Sequence, residues 1–143
     1  MFYVRIIIHA VFSTKYREPL LDKSTREKLF DHIKSNSRKQ GIFLEAVNGH
    51  TEHAHCVILL GREQTISKVM QLIKGESSHW LNQQKLISRH FSWQDDFWAV
   101  SVSESHLQRL IDYVNNQEAH YTKLSFEEEV KRFIEKYGWL GRR

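Results

Sequence analysis

The sequence predicts an α+β domain built on a ferredoxin-like, split β-α-β-β-α-β antiparallel sheet with further helices appended towards the C-terminal end. Three observations carry that expectation. Short apolar runs rich in Ile and Val read as strands, longer stretches with apolar residues at helical spacing alternate with them, and Asn48-Gly49 stands between two strands as a hairpin signal. With 143 residues, 41% hydrophobic and 27% charged, the chain has the length for one buried core, so residues 1–143 are expected to form a single domain.

Phe2 to Ser13 reads as the first strand, and the polar stretch from Thr14 to Pro19, the only proline, breaks it. Asp22 or Ser24 then caps a helix in which Leu29, Phe30 and Ile33 recur at helical spacing, and Gly41 closes it. Ile42 to Val47 and His53 to Leu60 read as a strand pair turned at Asn48-Gly49. Thr65 or Ser67 caps the next helix, whose stripe of Ile66, Val69, Met70, Ile73, Trp80 and Leu81 is interrupted at Gly75. Phe97 to Ser103 forms a fourth strand. Ser105 opens a helix carrying Leu107, Leu110, Ile111 and Val114, and Phe126 to Tyr137 forms a last helix, acidic and then basic. Helices are expected on one face of the sheet, with the other face free for a ligand.

Composition removes several function classes. A single cysteine, Cys56, leaves no intramolecular disulfide framework and no C-x-x-C pair for structural zinc, and it reads as a small core residue. No apolar run approaches the ~20 residues of a membrane span, and the start lacks a basic region followed by a long apolar one. A soluble, cytoplasmic protein is expected. A net charge of +4 and a pI near 9.2 permit a polyanionic partner, although 17 acidic residues dilute the effect.

Two motifs carry chemistry. In His53-Ala54-His55 the period of a strand sends both imidazoles to one face and Ala54 to the core, so two nitrogen ligands sit together on a rigid element. Such a pair leaves coordination positions open on a divalent ion, as metal-assisted catalysis requires. In a chain with nine histidines, chance also produces H-x-H pairs. Further on, Tyr113 and Gln117 lie four residues apart, on one face of a helix that Leu110 and Val114 can hold against the sheet. A phenol and an amide at that spacing also suit an ordinary surface. The sheet architecture is shared with RNA-recognition modules, so fold alone does not decide between catalysis and binding.

Taken together, H-x-H, then Y-x-x-x-Q, and the flanking segments HAVFSTKYREPLL, VNGHTEHAHCVILL, QLIKGESSHWL, FWAVSVSES and YVNNQEAHYTKLSFEEEVKRFIEKYG resemble the single-tyrosine HUH transposases. These are the enzymes of the smallest bacterial insertion sequences and of their repeat-associated relatives. The resemblance spans most of the chain. It implies that His53, His55 and Gln117 are metal ligands for Mg2+ or Mn2+ and that Tyr113 is the nucleophile. It further implies nicking and rejoining of single-stranded DNA through a 5′-phosphotyrosine, recognition of hairpin ends, and a homodimer in which the tyrosine helix of one subunit commonly serves the histidines of the other. Ala54 is smaller than the aliphatic residue usual there, and Glu52 replaces an expected Asp or Asn. Strand alternation would turn Glu52 away from His53. His120 reads as a solvated histidine.

For DNA contact, Arg5, Lys15, Arg17, Arg62, Lys68 and Lys74 are candidate phosphate ligands, and Tyr16, Trp80, Trp93 and Trp98 candidate stacking platforms. Val100 and Val102 suit an interface or an internal strand. Two other classes compete. A non-catalytic single-stranded nucleic-acid-binding module explains the charge and aromatics but not the motifs, and a water-using metal hydrolase explains the histidines but not the tyrosine.

Overall fold

The computed structural model describes residues 3–117 together with residues 128, 131, 132 and 135. The appended helix expected over 126–137, and His120, therefore lie outside the described residues or only partly within them. Four strands form one antiparallel sheet: β1 (Ile6–Ser13), β2 (Phe43–Gly49), β3 (His53–Leu60) and β4 (Trp98–Val102), in the order β2-β3-β1-β4. Helix α1 (Lys23–Lys39) carries the chain from β1 past β3 to β2, and α2 (Ile66–Gln84) carries it from β3 past β1 to β4. This is the split arrangement expected of a ferredoxin-like fold.

Alternation along the strands sends side chains into two cores. Ala10 and Phe12 of β1 and Ala54, Cys56 and Ile58 of β3 meet Leu29, Phe30 and Ile33 of α1 and Val69, Met70, Ile73 and Leu81 of α2. On the opposite face Ile7, Ala46, Val57 and Val100 meet Leu110 and Val114 of α3 (Leu107–Asn115). The second face is thus covered by α3 rather than free. The reason is in the strands themselves, which are apolar on both sides along β3 and must be shielded from water on both.

Caps and boundaries follow local chemistry. The Asp22 carboxylate accepts the Thr25 N–H at 2.8 Å, and that bond holds its pKa below the ordinary carboxylate range. Thr65 accepts the Lys68 N–H at 3.2 Å, and α2 continues unbroken through Gly75. Gly41, at φ 75°, follows α1 in the left-handed conformation that glycine accepts without strain. Two strand ends differ from expectation. Regular pairing of β1 begins at Ile6, opposite Leu60, rather than at Phe2.

Asn48 and Gly49 belong to β2, paired with His55 and Ala54, and the turn is made by 50–52. The glycine serves close approach instead of a turn. A Cβ on Gly49 would stand 2.1 Å from the His53 carbonyl oxygen and 2.9 Å from Ala54 Cα, both backbone atoms that cannot yield. Gly49→Ala is expected to destabilise the protein by about 1–3 kcal/mol, as overpacking does. Urea unfolding monitored by tryptophan fluorescence would measure it, and an unchanged midpoint would disprove the tight fit.

Candidate functional site

His53 and His55 are the first and third residues of β3, opposite Ser13 and Val11 of β1, and both are buried. Their rings stand edge to face with centroids 5.0 Å apart, on the side of the sheet that faces α3. The expected common orientation of the two imidazoles is present. Cys56 points to the α1–α2 core, where burial pushes its thiol up to about 12.

The end of α3 brings up the other two motif residues. Tyr113 is half-buried, its ring centroid 5.8 Å from that of His55. Gln117 is fully buried and sets Oε1 at 3.1 Å from His53 Nε2. It does not share a continuous helix with Tyr113, because α3 ends at Asn115 and the backbone turns at Asn116. The Gln117 amide nitrogen donates to the Tyr113 carbonyl at 3.5 Å, which aims the amide oxygen at His53. The four residues singled out in the sequence therefore converge on one locus within one chain.

Two further residues were missed by sequence reasoning. Glu52 Oε1 lies 2.6 Å from His53 Nδ1, although alternation would have turned it away. Glu52 sits in the turn before β3, where strand periodicity does not apply. His9 of β1 is the second. Its Nε2 lies 2.8 Å from His55 Nδ1, and the two rings stack at 5.1 Å with 15° between planes. The available signal was a polar residue in the alternating series Ile7, His9, Val11, whose other members are buried and apolar.

These partners determine which nitrogens are offered. A carboxylate only accepts, so His53 Nδ1 carries the proton shared with Glu52 and directs Nε2 at the Gln117 oxygen. Two acceptors 3.1 Å apart repel unless a proton or a cation lies between them. A histidine whose second nitrogen is held by a carboxylate is the arrangement common around metal-ligating imidazoles. If His55 Nδ1 donates to His9, its Nε2 likewise keeps its lone pair. The donor set fits a divalent ion. Among the described residues no group of three or more His, Cys, Asp or Glu gathers as a metal cluster, and the third donor here is an amide.

The chain belongs to the IS200-like transposases. The family model for "Transposase IS200 like" matches residues 2–117, most of the chain and all four motif residues. Among solved structures, a protein from Deinococcus radiodurans R1 assigned as a transposase is 20% identical, with a TM-score of 0.64 over 81% of this chain and 93% of that one. A REP-associated tyrosine transposase bound to a REP hairpin is 18% identical, with a TM-score of 0.62 over 99% of this chain and 90% of that one. At these identities both show a common fold. No curated protein matches.

The candidate DNA contacts separate clearly. Trp93 is core, buried against Phe12 and Phe91 with its indole N–H donated to Ser77. Trp80 stacks on His32, which is bound to Glu76 between α1 and α2. Lys74 donates to the carbonyls of Gln94, Asp95 and Asp96, and its partial burial lowers its pKa against the pull of those aspartates. Arg5 and Arg62 are ion-paired with Glu104 and Glu63. Tyr16 remains exposed, and Trp98 lies edge-on to His9 at 5.2 Å. No helix among the described residues is long and apolar enough to cross a membrane.

Burial beside the site makes Cys56 chemically silent. At pH 8 iodoacetamide should leave the folded protein unlabelled and label it fully in urea, as mass spectrometry would show. Above pH 9 the unfolded thiol releases a proton that the folded one keeps until about 12, so stability should fall as pH rises through that window.

Proposed function

We propose that this transposase nicks and rejoins single-stranded DNA through a covalent 5′-phosphotyrosine on Tyr113, acting at hairpin ends as a single catalytic domain over residues 1–143. The observation that carries the reading is the meeting of His53 Nε2 with Gln117 Oε1 at 3.1 Å beside the Tyr113 ring. His53, His55 and Gln117 would hold Mg2+ or Mn2+. When bound, the ion supplies Lewis-acid polarisation of the scissile phosphate and neutralises charge on its oxygens.

The remaining work falls to the chain's own groups. Glu52 fixes the tautomer and ring plane of His53, and His9, stacked on His55 and bonded to its Nδ1, holds the plane of that ring. Leu110 and Val114 seat α3 on the sheet and so place Tyr113 over the imidazoles. A phenol with a pKa near ~10 is a weak nucleophile at neutral pH and depends on an activated target. Its oxygen bonds to phosphorus as the bond from phosphorus to O3′ breaks. The phenol gives up one proton and the departing O3′ takes one, leaving a phosphotyrosine and a free 3′-hydroxyl. One ester replaces another, so a 3′-hydroxyl from the same or another strand can reverse the exchange without an external energy source.

The resemblance to the single-tyrosine enzymes supports a homodimer with sites completed between subunits. Within this chain Tyr113 and Gln117 stand beside their own His53 and His55, which supports a site that is also complete in one subunit. The hairpin in the related structure supports, for this chain, single-stranded DNA with palindromic ends as substrate.

End-labelled single-stranded DNA carrying candidate hairpins, incubated with Mg2+, should yield a protein adduct on denaturing gels with wild type and none with Tyr113→Phe. Cleavage that survives Tyr113→Phe would replace this mechanism by hydrolysis, and binding without any cleavage by wild type would favour a binding module. Glu52→Gln should weaken Mn2+ binding by roughly 10–100-fold in calorimetry, as loss of an orienting carboxylate does. Unchanged Mn2+ affinity would remove Glu52 from the site.

A further inference from the structure

The turn between β1 and α1 is held in a conformation that side chains with a Cβ disfavour. Tyr16 and Arg17 both adopt left-handed backbone angles, with φ of 59° and 55°. Several bonds keep them there. Arg17 N–H donates to the Thr14 carbonyl at 2.9 Å, Thr14 Oγ1 donates to the Glu18 carbonyl at 2.7 Å, and Tyr16 N–H donates to Gln94 Oε1 at 3.1 Å. Lys15 N–H adds a bond to the Ser92 carbonyl at 3.1 Å. The result is a Tyr16 side chain 77% exposed instead of folded against the core. Strain maintained by so many contacts is characteristic of ligand-binding positions.

Beside this tyrosine lies a groove of about 490 Å³, lined in part by Val11, Arg17, Asp96, Phe97 and Trp98. Its size falls within the range of small-ligand sites. Trp98 forms one wall and also meets His9 edge-on at 5.2 Å, and His9 is bonded to His55. The groove thus begins one ring away from the histidine layer. Val11, Phe97 and Trp98 give it apolar walls beside the polar Gln94, Asp96 lines it, and Arg17 brings a cation to the same turn. A carboxylate repels phosphate but accepts from an exocyclic amine, as Asp does from cytosine N4.

We propose that this groove receives one unpaired nucleobase of the strand held at His53 and His55, stacked on Tyr16, with its exocyclic amine donating to Asp96. The proposal rests on the single-stranded DNA reading of the neighbouring site. The base must be unpaired, because a base stacked within a duplex has no free face to lay on Tyr16. Thymine, which has no exocyclic amine, is the base selected against. Arg17 meets the backbone of the same nucleotide.

Binding of short fluorescent homopolymers of deoxycytidylate and thymidylate, followed by anisotropy with the full chain carrying Tyr113→Phe, tests this without requiring catalysis. Tyr16→Gly is the informative variant, since glycine accepts the left-handed backbone and should leave the thermal midpoint unchanged or raised. Affinity for deoxycytidylate should fall at least about fivefold with Tyr16→Gly, as loss of a stacking platform does, and Tyr16→Trp should restore it. Asp96→Ala should erase the preference for deoxycytidylate over thymidylate, whatever it does to overall affinity. Unchanged binding by Tyr16→Gly, or equal affinity of the parent protein for both homopolymers, would overturn the proposal. Adduct formation by the protein with an intact Tyr113 reports separately on the catalytic reading. An adduct with no Tyr16 dependence sinks the groove alone, and Tyr16-dependent binding without an adduct sinks the nicking reaction alone.

Discussion

The architecture depends on β3 being apolar enough to be buried on both faces while carrying two imidazoles on only one of them. Because strand side chains alternate, Ala54, Cys56 and Ile58 anchor the strand against α1 and α2, and His53, His55 and Val57 face α3. A slip of one residue would exchange the two sets and bury the histidines among leucine and phenylalanine. Register is therefore the quantity that must not vary. Pairing on both sides, with β1 over eight positions and with β2 up to Gly49, enforces it.

Burying two imidazoles is costly unless their nitrogens are matched. The protein matches them with groups from three different segments. Glu52 comes from the turn before the strand, His9 from the neighbouring strand, and Gln117, just beyond α3, brings an amide oxygen that leaves room for a proton or cation at His53 Nε2. Each imidazole is thus held at one nitrogen by a partner that leaves the other directed at the interior of the site. The packing against Val57, Leu110 and Val114 keeps that layer away from bulk water, where electrostatic interactions are weaker.

What could be read from the sequence follows how local its physics is. Element types, the common face of His53 and His55 and the core position of Cys56 all rest on periodicity within a few residues, and the order of those elements points to the split fold. The parts that escaped are those in which a turn or a distant neighbour decides. Alternation carried into a turn misplaces Glu52, whereas Gln117 reaches the site as expected although the backbone turns at Asn116 between it and α3. Asn48-Gly49 has the composition of a hairpin turn, yet the glycine is needed where one backbone passes against another. His9 meets His55 across 46 residues, and only the β1–β3 register, which sets it diagonally across the pair, reveals the contact.

The helix that carries Tyr113 is short and seats fewer fully buried side chains than α1 does. Among the described residues α3 buries two side chains, Leu110 and Val114, worth about 1.5–3 kcal/mol each, against six buried residues on α1. A segment anchored by two fully buried side chains opens at a smaller free-energy cost than the whole fold does. Its amides would exchange with solvent deuterium well before those of β1 and β3. The residue proposed as the nucleophile thus rides on the helix with fewer buried side chains while the imidazoles sit on a strand paired on both sides, so uncovering the histidine layer would require no unfolding of the sheet.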